Sequence, residues 1–305
     1  MTKESAFRSS HASLTVYAPA KVNFILRILD RRHDGYHNLW SIMQTIALED
    51  SVTMRATQPH GGITLSCDSE GLSVDHSNLV WKAASAVLEH ARLSPGLDIE
   101  LRKRIPMGAG LGGGSSDAAA TIVGLNRLLQ LGWTAAKMAE VGQALGSDVP
   151  FFFYAPSAIV SGRGETVRPV TIEGGRWLVL VKPPFGIETK WAYQELAATR
   201  PGIRPLSADH TRLDGCPRIT WRELASVAEN DFEMPVFGKY ARLEEIKRSL
   251  LKLGAECALL SGSGATVFGL FEKESTARRA EADLRRDREL NLFVVPTRGE
   301  PLTAS

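Results

Sequence analysis

The spacing of apolar residues in the first third of the chain predicts several strands. Residues 14–29 are apolar enough for two strands interrupted at Pro19, and residues 39–54 and 63–67 have the same strand-like character. Residues 97–105 alternate apolar and charged side chains, which is typical of a strand with one face in water. One-sided strands favour an antiparallel or mixed sheet, because the strands of a doubly wound parallel sheet are buried on both faces.

Helical spacing of apolar residues follows in three places. Residues 79–90 predict a helix that Asn78 can cap, and residues 134–145 predict another that begins at Thr134. Between them, the apolar positions of residues 118–129 predict a helix directly after a run of glycines. The first half of the chain therefore begins with strands, and its helices follow from residue 79 onward.

The second half has a different order of elements. We expect a helix over residues 235–253, strands over 257–260 and 266–271, a helix over 274–286 and a strand over 290–296. This α-β-β-α-β order predicts a two-layer α+β unit. Residues 197–217, which are rich in proline, glycine and polar side chains, predict a long loop.

The glycine-rich segment of residues 106–120 is the clearest indication of chemistry. Five of the seven residues 108–114 are glycine, and a helix follows. A bare backbone that opens into a helix N-terminus can bind phosphate, since its N–H groups and the helix dipole attract anions. The segment lacks the lysine of a Walker A loop, and its G-x-G-x-x-G spacing alone is weak. It predicts a site for a nucleoside triphosphate; the alternative is a glycine-rich turn that binds nothing.

Composition narrows the class of protein. The chain has 305 residues, 44% of them hydrophobic and 23% charged, which is typical of a soluble globular protein. A net charge of +2 gives no general case for nucleic-acid binding. Its three cysteines form no C-x-x-C pair, so neither a disulfide framework nor a zinc site is indicated. With no long apolar run, we expect a cytoplasmic protein without a membrane segment, whose residues 1–12 form a polar tail.

Two charged residues lie in unusually apolar surroundings. Lys21 precedes an apolar strand and Asp148 lies just before Val149 and Pro150. Burial of either charge is costly unless a partner neutralises it. Taken singly, Lys21 could be a lysine at a strand edge and Asp148 a helix cap.

Two further segments could have either a binding role or a purely structural one. Tyr36 and His37 follow the predicted Asp34-Gly35 turn, where aromatic residues could simply pack on the surface. Residues 261–265 could bind a second anion or form a tight β-turn between strands. The sequence leaves both choices open.

The order of these segments resembles the GHMP small-molecule kinase family. The resemblance rests on five motifs: Ala18-Pro19-Ala20-Lys21-Val22-Asn23, Asp34-Gly35-Tyr36-His37, residues 106–120, Gly146-Ser147-Asp148-Val149-Pro150 and Gly262-Ser263-Gly264-Ala265. It implies a two-domain α+β fold with an N-terminal domain like ribosomal protein S5 domain 2 and a ferredoxin-like C-terminal domain. We expect these domains over residues 13–170 and 171–305, with the active site in the cleft between them.

The same resemblance implies transfer of the γ-phosphoryl group of ATP to an alcohol, with Mg²⁺. Asp148 matches the family's carboxylate base and Lys21 its partnering lysine. Asn78 and Lys103 match positions near the adenosine, and Ser115 is a possible metal contact. The triphosphate would lie against Pro106, Met107, Gly108, Ala109, Gly110, Leu111, Gly112, Gly113, Gly114, Ser115 and Ser116.

Three of the motifs are similar to the family member that acts on a cytidyl diphosphate sugar alcohol. On that basis Asn23, Tyr36 and His37 would bind the cytidine, with Tyr193 as a second stacking ring. Thr189 and Gly264 match the diphosphate end. The alternatives are another alcohol of the mevalonate or homoserine type, or a non-catalytic ATP-binding regulator. We expect a small-molecule substrate, no nucleic-acid or membrane partner, and a monomer or weak homodimer.

Overall fold

The computed structural model describes residues 13–33, 35–200, 202 and 204–302. The predicted tail and Asp34 lie outside these residues. The larger of its sheets contains β1 (Ser13–Arg31), β2 (His37–Pro59), β3 (Ile63–Cys67), β4 (Pro95–Arg102), β5 (Ser157–Gly162), β6 (Thr166–Pro169) and β10 (Glu229–Asn230). A second sheet contains β8 (Trp177–Lys182), β11 (Cys257–Leu260), β12 (Val267–Phe271) and β13 (Asn291–Pro296), and a separate pair is formed by β7 (Thr171–Glu173) and β9 (Arg218–Thr220).

The helices lie between these strands. They are α1 (Leu79–Ala91), α2 (Gly113–Leu128), α3 (Ala135–Gln143), α4 (Thr189–Thr199), α5 (Ala208–Asp214), α6 (Trp221–Ser226), α7 (Glu233–Lys239), α8 (Ala241–Lys252) and α9 (Glu274–Leu284), with a short 3-10 helix at Pro150–Phe153. The predicted caps are confirmed: Asn78 accepts a hydrogen bond from the backbone of Val80, and Thr134 from that of Lys137. Helix α2 begins inside the glycine segment, at Gly113.

The larger sheet is mixed, as the one-sided strand predicts. Strand β2 pairs antiparallel with β1, β4 and β5, whereas β3 runs parallel to β4 and β10 parallel to β1. In β4, Leu97, Ile99 and Leu101 are buried while Glu100 and Arg102 are exposed. The smaller sheet is antiparallel throughout, in the order β11-β12-β8-β13.

The prediction of two strands around Pro19 is wrong, because β1 is one strand with three irregularities. Its register against β2 shifts between Pro19 and Ala20, between Asn23 and Ile25, and between Ile28 and Asp30. Val16 and Ala18 belong to one hydrophobic cluster, Ala20, Val22 and Phe24 to the other, and Leu26 and Ile28 to the first again. Each of the first two shifts therefore reverses which face the alternate side chains occupy. Residues Lys21 and Asn23 face the same side as Ala18 for this reason.

The two hydrophobic clusters define the layers. One joins α1 and α2 to the larger sheet through residues such as Val80, Ala119 and Val52. The other lies between the two sheets, where the ring of Phe24 packs edge-on against Trp221 and Phe268 with centroids 5.3 Å away in both cases. The domain boundary after residue 170 stays a prediction, and β10 returns from the later half of the chain to pair with β1.

Two predictions in the second half are corrected by the structure. The helix expected over residues 235–253 is two helices, α7 and α8, separated at Tyr240, whose φ of −119° and ψ of 68° are not helical. The loop expected over residues 197–217 contains α5, because the Ser207 side chain caps its first turn through the backbone of His210. The strand and helix order from residue 257 onward is confirmed.

Candidate active site

The glycine segment forms a loop over the N-terminus of α2. Gly108, Gly110 and Gly112 have φ values of +60°, +73° and +71°, a region that only glycine enters easily. A Cβ on Gly110 would lie 2.0 Å from the carbonyl oxygen of Ser261, and one on Gly112 would lie 2.8 Å from Cγ of Lys21. Gly112 is the N-cap of α2 and offers no side-chain cap, so the first turn of α2 is suited to an anion.

Lys21 and Asp148 form an ion pair beside this loop. Nζ of Lys21 lies 3.3 Å from Oδ2 of Asp148 and donates to Oδ1 of Asn23 at 2.8 Å. Asn23 in turn donates to Ser41, which orients its amide. The Lys21 side chain is only 5% exposed and that of Asp148 31%. A buried ammonium is thus paired, while the carboxylate still reaches open space.

A cavity of about 580 Å³ extends along the glycine loop. Of the residues predicted to contact nucleotide, it is lined by Asn78, Lys103, Pro106, Met107, Gly108, Ala109, Gly110, Leu111, Gly112, Gly113, Gly114 and Ser115. Ser116 is fully buried and outside the lining. Asn23, predicted on the cytidine side, lines this cavity next to Lys21.

Lys103 lies between two carboxylates beneath the loop. Its Nζ contacts Asp117 at 2.6 Å and also Asp50, and both carboxyl side chains are almost fully buried. Burial lowers the pKa of Lys103, but Asp117 and Asp50 outweigh it and the net shift is upward. Burial is also the largest influence on Asp117, and it raises the pKa of that carboxyl to about 7 despite the nearby Lys103 charge. The side chains of Asn78 and Lys103 are thus both bonded within the protein.

A second cavity, of about 800 Å³, opens on the other side of Asp148. Tyr36, His37, Thr189 and Tyr193 line it, so the structure brings four of the six predicted substrate residues together. The rings of His37 and Tyr193 are stacked, 4.8 Å apart and inclined by 21°. Both cavities are lined by Leu39, Ser115, Asp148, Thr189 and Tyr193, so the two spaces meet along these residues.

Burial shifts the pKa of two stacked rings in the second cavity. Burial, with help from the Arg31 charge, lowers the pKa of His37 below its ordinary value. Burial and the negative charge of Asp148 raise the pKa of Tyr193 to about 12. Both shifts favour the uncharged form of the ring, and aromatic faces of this kind are suited to stacking on a planar ligand.

Gly264 lies in the turn of residues 261–265 rather than in the lining of either cavity. That turn connects β11 to β12, and Ser261 donates its hydroxyl hydrogen to the carbonyl oxygen of Gly110 at 2.9 Å. Its neighbour Ser263 lines the nucleotide-side cavity and lies 2.9 Å from the hydroxyl of Thr189. The turn therefore supports the glycine loop and also contacts α4.

Sequence reasoning missed several residues of the two cavities. Arg163, at the β5–β6 turn, lies with its guanidinium 4.5 Å from the centre of the Tyr36 ring, and Lys190 lines the same cavity. Asp117 lines the first cavity. The one available sign was its position directly before the apolar residues of the predicted helix, where a buried acid needs a partner.

Within the described part of the chain, no helix is long and apolar enough to cross a membrane, and no cluster of three or more His, Cys, Asp or Glu side chains could hold a metal ion. Mg²⁺ does not require such a cluster, since it often binds through substrate phosphates, waters and one or two protein oxygens.

Comparison with known families agrees with this geometry. Residues 78–155 match the model of the GHMP kinases N terminal domain, and residues 213–289 match that of the GHMP kinases C terminal domain. The chain therefore belongs to the GHMP kinase family, and its predicted two-domain α+β fold is confirmed.

Individual relatives share one name. The chain is 41% identical over 288 residues to the 4-diphosphocytidyl-2-C-methyl-D-erythritol kinase of Geobacter metallireducens, covering 94% of this chain and 98% of that protein. It is 40% identical over 275 residues to the enzyme of the same name from Citrifermentans bemidjiense, covering 90% and 95%. A crystal structure of 4-(cytidine 5'-diphospho)-2C-methyl-D-erythritol kinase superposes with a TM-score of 0.77 at 32% identity, covering 94% of this chain and all of that one.

Proposed function

We propose that this chain uses ATP to phosphorylate the 2-hydroxyl of 4-diphosphocytidyl-2-C-methyl-D-erythritol, with release of ADP, in non-mevalonate isoprenoid precursor biosynthesis. The observation that carries the proposal is the meeting of two cavities at Asp148, one along the glycine loop and one beside the stacked rings of His37 and Tyr193. The names of the relatives support the same acceptor.

In this mechanism the triphosphate lies on the glycine loop and the cytosine against the aromatic rings. The acceptor hydroxyl then reaches Asp148, which takes its proton while the oxygen forms a bond to the γ-phosphorus. The bond between that phosphorus and the β–γ bridging oxygen breaks, and ADP leaves with the bond's electrons. Lys21, 3.3 Å from Asp148, stabilises the negative charge that develops on the transferred group.

ATP and Mg²⁺ are the proposed cofactors. Mg²⁺ would neutralise phosphate charge when bound, and the Ser115 hydroxyl, where the two cavities meet, is the protein group suited to contact it. The adenosine would lie beside Asn78 and Lys103 in the first cavity. Since both side chains already bond within the protein, we expect backbone atoms and apolar stems to contact the base.

A panel of acceptors tests the proposal. ADP release is measured with the cytidyl diphosphate acceptor, mevalonate and homoserine at equal concentrations. We expect turnover with the first alone, because the other two have no base to stack on the aromatic rings. Turnover of mevalonate or homoserine instead would identify another kinase of the family, and ATP binding without any turnover would identify a regulator.

The proposal also covers the binding partners, the location and the oligomeric state of the protein. The substrate is a small molecule, and nothing in the net charge of +2 favours nucleic acid as a partner. We place the protein in the cytoplasm as a monomer or weak homodimer. Size measurement in solution at several concentrations tests the oligomeric state.

A further inference from the structure

Residues 230–232 form a buried segment that contacts residues of both cavities. Asn230 ends β10, and Asp231 and Phe232 lead into α7; all three are buried, and Phe232 lines the cavity along the glycine loop. We infer that this segment positions both substrates, Asn230 acting on the nucleotide side and Asp231 on the acceptor side, with Phe232 between them against Tyr193. The identity of the acceptor rests on the proposed function; the geometry does not.

Asn230 holds the turn that supports the glycine loop. Its amide nitrogen donates to the carbonyl oxygens of Leu260 and Gly262, both at 2.8 Å. Between these carbonyls, Ser261 donates to the carbonyl oxygen of Gly110, the glycine whose missing Cβ allows the close approach. One amide thus fixes the turn on which the phosphate-facing loop rests.

Asp231 binds the C-terminal end of α4, the helix that carries Tyr193. Oδ2 of Asp231 accepts from the backbone N–H of Ile28 and from Arg200, each at 2.7 Å. Arg200 is the C-cap of α4 and also donates to the carbonyl oxygen of Ile28. The C-terminal end of α4 is therefore tied to β1, and Tyr193 lies on that helix.

Phe232 contacts the ring of Tyr193 directly. Its ring packs edge-on against Tyr193, with centroids 4.8 Å apart and planes at 85°. The opposite partner of Tyr193 is the stacked ring of His37. The position of the His37–Tyr193 pair thus depends on Phe232 and on the Asp231–Arg200 link.

The two polar residues are not interchangeable in this arrangement. Asn230 must donate to two carbonyl oxygens. A carboxylate at this position has no hydrogen to donate, and its charge would repel the two oxygens. Asp231 is surrounded by the donors of Ile28, Arg200 and Arg204, which a carboxylate satisfies better than an amide. Adjacent residues therefore serve different cavities by different chemistry.

Paired substitutions separate these roles. Asn230→Ala should raise the KM for ATP and the Kd for AMP-PNP roughly ten-fold, as expected for buried carbonyls left without a donor, and leave the acceptor KM within a few-fold. Asp231→Asn should show the reverse split. Ser261→Ala and Arg200→Gln interrupt the same two routes one contact further along, with smaller shifts in the same directions, and serve if the first variants fail to fold.

Glu229→Gln is the matched control. Glu229 is the neighbouring acid on β10. Its ion pairs are with Arg27, Arg204 and His210; the first two also pair with Asp231, but none is with Arg200 or with Ser261. It should lower the melting temperature without changing either KM. The inference is overturned if the nucleotide-side and acceptor-side variants raise both constants together, or change neither. If wild-type protein does not turn over the cytidyl acceptor, the proposed function fails, and AMP-PNP binding still decides the role of Asn230 and Ser261.

Discussion

At the scale of single residues, the geometry around Asp148 is not that of a helix cap and is compatible with the proposed base. The short helix that follows starts at Pro150, and its N-cap is Val149. The Asp148 carboxylate instead faces Nζ of Lys21 and lines both cavities. A carboxylate with this exposure can take a proton from a hydroxyl that enters from the second cavity.

Asp148→Asn should therefore damage chemistry more than binding. The amide keeps the shape of the side chain but cannot accept the proton, so kcat should fall by about 10²–10⁴ while both KM values stay within a few-fold. Steady-state kinetics on folded protein measures this. A variant that keeps more than about half of its kcat would leave the mechanism without a base.

His37→Ala should weaken acceptor binding selectively. The ring of His37 stacks on Tyr193, and burial lowers its pKa, which favours the uncharged ring. Its loss should raise the acceptor KM roughly ten- to a hundred-fold and leave the KM for ATP within a few-fold. His90→Ala, on the exposed side of α1, is the control. A rise in the KM for ATP instead would place the cytidine elsewhere.

At the scale of elements, the glycine loop depends on its contact with the β11–β12 turn. Gly110→Ala should raise the KM for ATP and lower stability, because its Cβ would meet the Ser261 carbonyl at 2.0 Å. Gly132→Ala is matched in φ, at +70° against +73°, but its Cβ would meet nothing within 4 Å. The control should cost only the strain of the left-handed conformation, about 1–2 kcal/mol, without changing kinetics. If the two substitutions had equal effects on urea unfolding and on the KM for ATP, a specific contact between Gly110 and the Ser261 carbonyl would be contradicted.

Strand β1 illustrates what the sequence could predict at this scale. Its apolar character predicts a strand, and Pro19 suggests a break. The register shift beside Pro19 keeps the strand continuous and turns Lys21 toward the cavity. Which side a residue faces after a bulge depends on its partner strand, β2, and not on local alternation. The strand was therefore predictable, but the side that Lys21 faces was not.

At the scale of the whole molecule, the buried Lys103 cluster joins β2, the glycine segment and α2. Two carboxylates share one ammonium, so one negative charge is in excess. The raised pKa of Asp117, about 7 against an ordinary 3.8, means that the folded protein binds more protons than the unfolded chain between these values. Its contribution to stability is present below the lower value and is lost as the pH rises through the upper one.

Asp117→Asn should remove this pH dependence. Relative to wild type, the variant should gain on the order of 2 kcal/mol of unfolding free energy between about pH 5 and about pH 8, measured with urea. Asp98→Asn, an exposed acid that pairs with Arg55 on the outside of the sheet, should change no such slope. A variant whose stability runs parallel to wild type across this range would show that Asp117 is fully ionised in the fold.

The candidate site was predictable where its residues lie in compact motifs. The glycine loop, Lys21, His37 and Asp148 each lie in such a motif. Arg163 and Asp231 lie outside these motifs, and the residues they contact, Tyr36 and Arg200, lie on other elements. Ser263 lies in the motif of residues 262–265, but its contact with Thr189 is equally distant in sequence. No periodicity or local spacing encodes those contacts.

The position of the transferred phosphate tests the central claim most directly. Wild-type protein is incubated with ATP, Mg²⁺ and 4-diphosphocytidyl-2-C-methyl-D-erythritol, and the product is followed by ³¹P NMR. We predict one new phosphomonoester signal that stays a singlet without proton decoupling, because the carbon bearing the 2-hydroxyl carries a methyl group and no hydrogen. A signal split by a neighbouring proton, or the appearance of inorganic phosphate alone, would contradict transfer to the 2-hydroxyl.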